Sequence, residues 1–318
     1  FIMTKRSVQQ FMLKHSRILI LIVLLTFFSL TTDTFWSIHN WQNVSNILLY
    51  QVPVLMMLGT AMTLVIILGG IDLSIGSALS LSTCIAALVM RATQNVMIGI
   101  LVGVGVGLII GLINGFLVAY VKVTPYITTF SMQWIAKGIA LVFMGGTSVY
   151  EFPPSFKQSF QSTPFNYLII AFVLVGVVAF IMGKTPYGRR IYMVGHNINA
   201  AKISGVKTRM IILTVFAIVG VIVAITGIMY LSFLGGAEAI IGDGFPLKAI
   251  AATLVGGTAF GGGRGKVSNA IVGSMIMLVL TNGILHLGVP SVWQDFVIGV
   301  AILVSVMLER GLNKINKA

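Results

Sequence analysis

The sequence predicts an all-α polytopic membrane protein with about ten transmembrane helices and with broken or re-entrant glycine-rich segments among them. Three observations support this fold class. The chain is 57% hydrophobic and 8% charged, whereas soluble domains are about a quarter charged. Apolar runs long enough to cross a bilayer alternate with short polar intervals. The basic residues collect in every second interval, as they do in cytoplasmic loops.

The charge pattern orients the predicted spans and places both termini in the cytoplasm. The outer intervals carry most of the acids, and we expect Glu151 and Asp243 to lie outside. The predicted spans lie near residues 18–30, 44–68, 75–90, 96–120, 125–144, 167–182, 210–234, 245–260, 268–286 and 292–308. The predicted organisation is a cytoplasmic N-terminal segment, one transmembrane domain with a cytoplasmic loop, and a cytoplasmic tail, at residues 1–17, 18–310 (loop 184–209) and 311–318 respectively.

Composition and residue placement disfavour several classes of function. The net charge of +13 would suit a nucleic-acid-binding protein. Most of the basic residues stand in short intervals between apolar runs, however, so we expect no nucleic-acid partner. The single cysteine, Cys84, lies in an apolar run, and the four histidines are scattered. We therefore expect neither a metal site nor the cluster of histidines and acids that a membrane-embedded enzyme would need.

The polar interval Lys184–Arg209 is basic, contains no acid and separates two strongly apolar runs. Its centre predicts a short helix on the cytoplasmic membrane surface. Asn197 or Asn199 can cap the helix, and Gly205 can take the left-handed position after it. Ala200 and Ala201 would give this helix a low-relief face suited to a groove on a soluble partner. The alternative is an ordinary basic loop that only fixes the topology.

The stretch GGIDLSIG, Gly69–Gly76, interrupts an apolar run with paired glycines and the ionisable Asp72. An Asp at this depth normally faces a bundle interior or an aqueous cavity, and a glycine pair permits a broken helix. A structural alternative is that Asp72 or Ser74 caps the following helix.

Two further features stand inside predicted spans. Lys137 lies near the centre of one span, where it has to snorkel, pair or face water. It is either a pathway residue or partner of Asp72, or a structural side chain bonded to a carbonyl or an acid between helices. Six glycines within Gly256–Gly265 imply close helix crossings or a re-entrant turn. They do not form a phosphate-binding loop, because Phe260 and Val267 replace the required glycine and hydroxyl residue.

Together these segments resemble the ribose-type sugar permeases, membrane subunits of ATP-binding-cassette (ABC) importers within the branched-chain amino acid/ribose permease superfamily. Gly69–Gly76 matches the pattern G-G-I-D-L-S-[VI]-G at every position, and Ile250–Gly265 is similar to the family's glycine-rich segment. Lys137 stands where the family tends to have Arg, and the residues around Leu247 depart from its pattern. The positions that match the family's ATPase-coupling helix are Gly195, Asn197, Ala200, Ala201, Ser204 and Gly205.

The resemblance implies an importer permease of the bacterial inner membrane that moves a small neutral, ribose-like sugar by alternating access. It implies ABC ATPase subunits, a periplasmic or lipid-tethered solute-binding protein and a second permease subunit, identical or not, as partners. ATP would bind to the partner subunits, so no cofactor is expected on this chain. Nucleosides, autoinducer-type sugars and branched-chain amino acids are alternative solutes, and an ATPase-independent secondary transporter is a further alternative. The expected pathway or gate residues are Gly69, Gly70, Asp72, Ser74, Gly76, Lys137, Gly256, Gly257 and Thr258.

Overall fold

The computed structural model describes residues 5–32, 35, 45–156 and 165–315. Within these residues it is helical, and its one β-type contact is an isolated bridge. A π-helical turn precedes α2 and another follows α4. The helices are α1 Lys5–Thr31, α2 Val52–Leu68, α3 Ile75–Thr93, α4 Val96–Phe116, α5 Pro125–Met144, α6 Phe165–Lys184, α7 Pro186–His196, α8 Ile198–Ile203, α9 Thr208–Leu234, α10 Phe245–Val255, α11 Asn269–His286 and α12 Trp293–Ile315.

Helix α2 forms the centre of the bundle. Its apolar residues surround the whole helix, and 89% of the residues in its most apolar 18-residue segment, counted with the π-helical turn before it, are buried. A helix that is apolar on every side is expected to be buried on every side. Accordingly, α2 packs against α6, α9, α10 and α11. In the most apolar 18-residue segments of α4 and α6 only 28% of the residues are buried, so these helices lie at the periphery.

Helices α4 and α9 form a close crossing through small residues. A Cβ atom added to Gly107 would collide with the Gly220 carbonyl, and one added to Gly111 would collide with the Phe216 carbonyl. Small residues that let two backbones approach are characteristic of helix packing in membranes, where dispersion contacts replace the hydrophobic effect.

Seven helices within the described residues are long and apolar enough to cross a membrane. They coincide with seven of the ten predicted spans. The other three predicted spans coincide with shorter apolar helices, at Arg17–Thr31, Phe245–Val255 and Trp293–Met307. The helix in the predicted span 245–260 is shorter than the span, because α10 ends at Val255 and a glycine-rich loop follows it.

Two loops at the ends of α5 and α9 are joined to each other. Val149 and Ala237 exchange both backbone hydrogen bonds, at 3.1 and 2.9 Å. Tyr150 covers Gly236 and donates a hydrogen bond to Glu238 at 3.4 Å. From this bridge the chain turns back toward α3, and we call residues 238–244 the returning loop.

Candidate functional site

The stretch Gly69–Gly76 forms a break between α2 and α3. Gly69 adopts a left-handed conformation (φ 95°) that ends α2, and its N–H still bonds to Ile66 of that helix. The next helix begins at Ile75. The predicted interruption is therefore confirmed, and both flanking helices direct its polar residues into the bundle.

Asp72 is buried within this break, at 3% exposure. Its Oδ1 accepts hydrogen bonds from the backbone N–H and the hydroxyl of Ser74, at 2.8 and 2.6 Å. Asn114 of α4 donates to the Ser74 hydroxyl at 2.9 Å. Ser74 is the residue before α3 and makes no capping bond of its own. The capping alternative thus holds in a modified form, since Asp72 fixes the backbone at the entry to α3.

The break is also attached to α5. The Thr129 hydroxyl donates to the Ile71 carbonyl and accepts from the Leu73 N–H, both at 3.1 Å. Because the backbone on each side of Asp72 depends on this one hydroxyl, a rotation of α5 would change the geometry of the break.

Lys137 on α5 pairs with Asp243 of the returning loop, with 2.5 Å between Nζ and Oδ2. The hypothesis that Lys137 is the partner of Asp72 is therefore wrong. The contact agrees with the structural alternative, in which Lys137 bonds to an acid between helices. Asp243 is a residue that the sequence reasoning assigned to the outer side. The short α10 leaves the returning loop beside the middle of α5, where Gly76 of α3 packs against Gly242 and Pro246.

The predicted interfacial helix is present as α8, residues Ile198–Ile203. Asn197 is its N-cap, and its Oδ1 accepts from the N–H groups of Asn199 and Ala200 at 3.0 Å each. Ser204 ends the helix, and Gly205 follows in the left-handed conformation (φ 78°). Asn199 is therefore not the cap, whereas the predicted helix and its glycine stop are confirmed.

The expectation that Ala200 and Ala201 share an exposed face is wrong for Ala201. Its side chain is 1% exposed and packs into the protein, whereas Ala200 is exposed. The outer face of α8 carries instead the large apolar side chain of Ile203, which is 89% exposed. Lys202 beside it is exposed as well.

The glycine-rich segment after α10 combines a close crossing with a tight loop. A Cβ on Gly256 would collide with the Asn269 carbonyl of α11, so α10 and α11 touch backbone to backbone. Gly257 is left-handed (φ 87°), and its carbonyl accepts a hydrogen bond from Arg17 of α1 at 3.3 Å. Thr258 is buried, and its hydroxyl has no hydrogen-bond partner within the described residues. Arg17 had not been singled out from the sequence.

The three motifs meet at one place, which we call the glycine junction: Gly69, Gly195, Gly262 and Gly263. The Gly263 N–H donates to the Ile67 carbonyl of α2 at 2.8 Å. A Cβ on Gly195 would collide with the same carbonyl, and one on Gly262 would lie 2.8 Å from the Gly195 carbonyl. The loop 184–209, the broken helix and the glycine-rich segment are thus in backbone contact.

Tyr192 of α7 adds a side-chain contact to this region. Its hydroxyl donates to the Gly265 carbonyl at 2.9 Å. Burial raises the pKa of Tyr192, which keeps its hydroxyl a proton donor throughout the physiological range.

An open groove of about 1020 Å³ lies beside the junction, between the α4–α5 connection and the α7–α9 segment. Its walls carry four basic side chains and no acid: Lys122, Lys202, Lys207 and Arg209. Arg209 stacks over Tyr120, with 5.8 Å from Cζ to the ring centroid. Within the described residues, no three His, Cys, Asp or Glu side chains lie close enough to hold a metal ion.

These features define a class of protein: a multi-pass helical membrane protein in which the segment that carries a short surface helix contacts a broken transmembrane helix through glycine backbone. Comparison with known families agrees with this class. The family described as branched-chain amino acid transport system / permease component matches residues 44–306. The chain belongs to this family, and it is a multi-pass transport protein of the cell membrane and not a catalytic enzyme.

Individual relatives are similar over most of their length. The ribose import permease protein of Bacillus subtilis (strain 168) is 36% identical over 276 residues, which cover 84% of each chain. The D-allose transport system permease protein of Escherichia coli (strain K12) is 32% identical over 306 residues, covering 95% of this chain and 93% of its own. The ribose import permease protein of the same strain is 30% identical over 306 residues, 94% of each chain. No solved structure matches the chain.

Proposed function

We propose that the chain is the membrane-spanning subunit of an ABC importer that carries a small neutral sugar, ribose or a similar monosaccharide, into the cytoplasm by alternating access. The observation that carries this proposal is the glycine junction. It places the exposed helix α8 in backbone contact with the break beside Asp72. A force applied to α8 from the cytoplasm would therefore reach the transmembrane bundle. The names of the relatives support the sugar, since they are ribose and allose permeases.

The partners follow from the same arrangement. An ABC ATPase subunit would bind the outer face of α8, where Ala200 is small and Ile203 offers an apolar side chain. ATP would bind to that subunit, so this chain needs no cofactor. A periplasmic or lipid-tethered binding protein would deliver the solute to the outer loops, and a second permease copy or homologue would complete the pathway. Nucleotide drives such a cycle only if it binds the two conformations of the complex with different affinity.

We further propose ten crossings with both termini in the cytoplasm. The seven long helices supply seven crossings, and the apolar parts of α1, α10 and α12 would supply three. α10 has 11 residues, about 16 Å of helix, which crosses only half of a hydrocarbon core about 30 Å thick. The returning loop before α10 and the glycine-rich segment after it would complete that crossing inside protein, where irregular backbone is tolerated.

Residues of the break and of the glycine-rich segment are the proposed gate. The gate would comprise Gly69, Gly70, Asp72, Ser74, Gly76, Gly256, Gly257 and Thr258, with Lys137 on the pathway. Two observations support this. Asp72 is held by hydrogen bonds from Ser74, whose hydroxyl in turn accepts from Asn114 of α4. The Thr258 hydroxyl is buried without a partner among the described residues.

The direct experiment is uptake of radiolabelled D-ribose by vesicles that contain the permease with its ATPase and binding protein. ATP-dependent accumulation that ceases when the ATPase is omitted supports the proposal. Accumulation driven by an ion gradient without the ATPase would identify a secondary transporter. D-allose, D-galactose and autoinducer 2 form the comparison panel, since permeases named for allose, galactose and autoinducer 2 are also similar to this chain.

A further inference from the structure

A second cavity, of about 260 Å³, lies away from the glycine junction. It is bounded by α5, the first turn of α3, the end of the returning loop and the start of α10, and it is open on one side. The Lys137–Asp243 ion pair forms part of its wall. The other lining groups are Leu73, Gly76, Ser77, Gln133, Pro246 and Leu247, with the backbone of Gly242 and Gly244.

The position of the ion pair along α5 places this cavity inside the membrane. Lys137 follows Pro125 by about 18 Å and precedes Met144 by about 10 Å of helix, at about 1.5 Å per residue. The side chains of Lys137 and Asp243 are nevertheless 24% and 46% exposed on the chain. Charged groups at this depth do not face lipid; they face an aqueous cavity or another protein. The open side of the cavity is therefore turned toward water or a partner.

The chemistry of the cavity suits hydroxyl groups. Lys137 donates and Asp243 accepts, and together they carry no net charge, which disfavours an ionic solute. Gln133 supplies an amide with both donor and acceptor atoms, and Ser77 supplies a hydroxyl. Within the described residues, neither of these two side chains forms a hydrogen bond, so both remain available. Leu73, Pro246 and Leu247 provide an apolar wall for the C–H face of a small ring.

We propose that Ser77, Gln133, Lys137 and Asp243 form a solute subsite of the translocation pathway that binds neighbouring hydroxyl groups of a neutral monosaccharide. This inference rests on the proposed function and extends it to named side chains. The subsite would exchange hydrogen bonds to water for hydrogen bonds to the sugar. The exchange permits the weak, reversible binding that passage requires.

Thiol protection tests the subsite without requiring transport. Cys84 is the only native cysteine and is buried, so an introduced thiol is the main target of a hydrophilic methanethiosulfonate reagent. Gln133→Cys is labelled in the purified permease in nanodiscs, with and without D-ribose at up to 100 mM. We expect D-ribose to slow the labelling at least threefold, and 2-deoxy-D-ribose, which lacks one of the neighbouring hydroxyls, to slow it less.

Two further variants make the result specific. Glu151→Cys, exposed on an outer loop, should be labelled at the same rate with and without sugar. Adding Lys137→Met to Gln133→Cys should abolish the protection, whereas Lys137→Arg should retain part of it. The inference is overturned if Gln133→Cys does not react with the hydrophilic reagent, or if D-ribose and 2-deoxy-D-ribose protect it equally or not at all. Failure of the proposed function would appear separately, as absence of ATP-dependent uptake by the unmodified complex.

Discussion

Asp72 accepts hydrogen bonds from its chain neighbour Ser74, whereas Lys137 pairs with Asp243. The Oδ1 of Asp72 accepts both the N–H and the hydroxyl of Ser74, and Ser74 is bound in turn by Asn114. The carboxylate therefore fixes the local backbone and a contact with α4 at the same time. A substitution that retains an acceptor oxygen separates the role of the charge from the role of the shape.

Asp72→Asn retains an acceptor at Oδ1 and should fold and insert normally. Hydrogen bonds to a charged acceptor are about twice as strong as neutral ones, and a loss of about 1 kcal/mol corresponds to roughly fivefold in a rate or affinity. We expect membrane levels within twofold of the unmodified protein and a several-fold lower initial uptake. Quantitative immunoblots and uptake in vesicles measure the two quantities.

Asp72→Ala is the contrasting variant, because it removes both hydrogen bonds to Ser74. A buried donor left without its acceptor costs about 1–3 kcal/mol, so this protein should unfold at a lower temperature than Asp72→Asn. Unchanged uptake by a normally expressed Asp72→Asn protein would assign Asp72 to a structural role alone.

Among the elements, α8 and the glycine junction carry the proposed coupling. Ala200→Arg should uncouple the complex, because Ala200 is exposed on the outer face of α8 and a long charged side chain there must be desolvated on docking. A clash of this kind typically costs a few kcal/mol, at least about tenfold in occupancy of the docked state. ATP hydrolysis stimulated by the binding protein should fall, and so should uptake.

The control for α8 is Ala201→Arg. Ala201 is 1% exposed, so this change should lower the amount of folded protein instead of producing a folded but uncoupled permease. The proposed docking face is contradicted if Ala200→Arg retains stimulated ATP hydrolysis and uptake while binding of the solute-binding protein is normal.

Gly195→Ala should disturb the junction. Its new methyl group would collide with the Ile67 carbonyl, a backbone atom that cannot move independently of α2. Overpacking at such a site costs about 1–3 kcal/mol, so thermal unfolding in detergent should shift downward and stimulated ATP hydrolysis should fall. Gly183→Ala is the matched control, because a Cβ there meets nothing within 4 Å. Equal stabilities of the two variants would argue against a tight junction.

Helix positions were largely predictable from the sequence, and their long-range contacts were not. Proline and asparagine act on the adjacent backbone, so Pro125 identified the start of α5, and Asn197 or Asn199 limited the start of α8 to two positions. Glycine carries no comparable information, since the same residue serves a turn or a backbone contact more than a hundred positions away. The contact between Gly69 and Gly195 could therefore not be predicted from the sequence pattern.

The wrong predictions for Ala201 and for the partner of Lys137 have related causes. A helix of six residues, such as α8, has too few turns for its buried side to show as a periodicity, so Ala201 could not be distinguished from Ala200. The charge pattern gives no partner for Lys137 either, because the contact depends on the short α10, which leaves Asp243 of the preceding loop beside the middle of α5. The shortness of the apolar run that forms α10 was the feature of the sequence that could have indicated this contact.

On the scale of the whole molecule, the proposed topology predicts which surface each loop occupies. Glu151→Cys should react with a membrane-impermeant maleimide in intact cells, because ten crossings place the α5–α6 connection outside. Lys202→Cys on α8 should react only after permeabilisation. The buried Cys84 leaves little background, so each variant can be scored by gel shift. The reverse pattern of reactivity would contradict the proposed orientation.

The bridge between Val149 and Ala237 has a consequence for how solute delivery is sensed. Two backbone hydrogen bonds and the packing of Tyr150 on Gly236 join two loops that the proposed topology places outside. The chain beyond Ala237 leads to Asp243, so in the proposed complex the pressure of a docked solute-binding protein on one loop would displace the carboxylate that lines the cavity. By reciprocity, a sugar bound at that carboxylate would change the affinity of the permease for the solute-binding protein. The solute-binding protein would then dissociate from the permease at different rates before and after it has released its sugar.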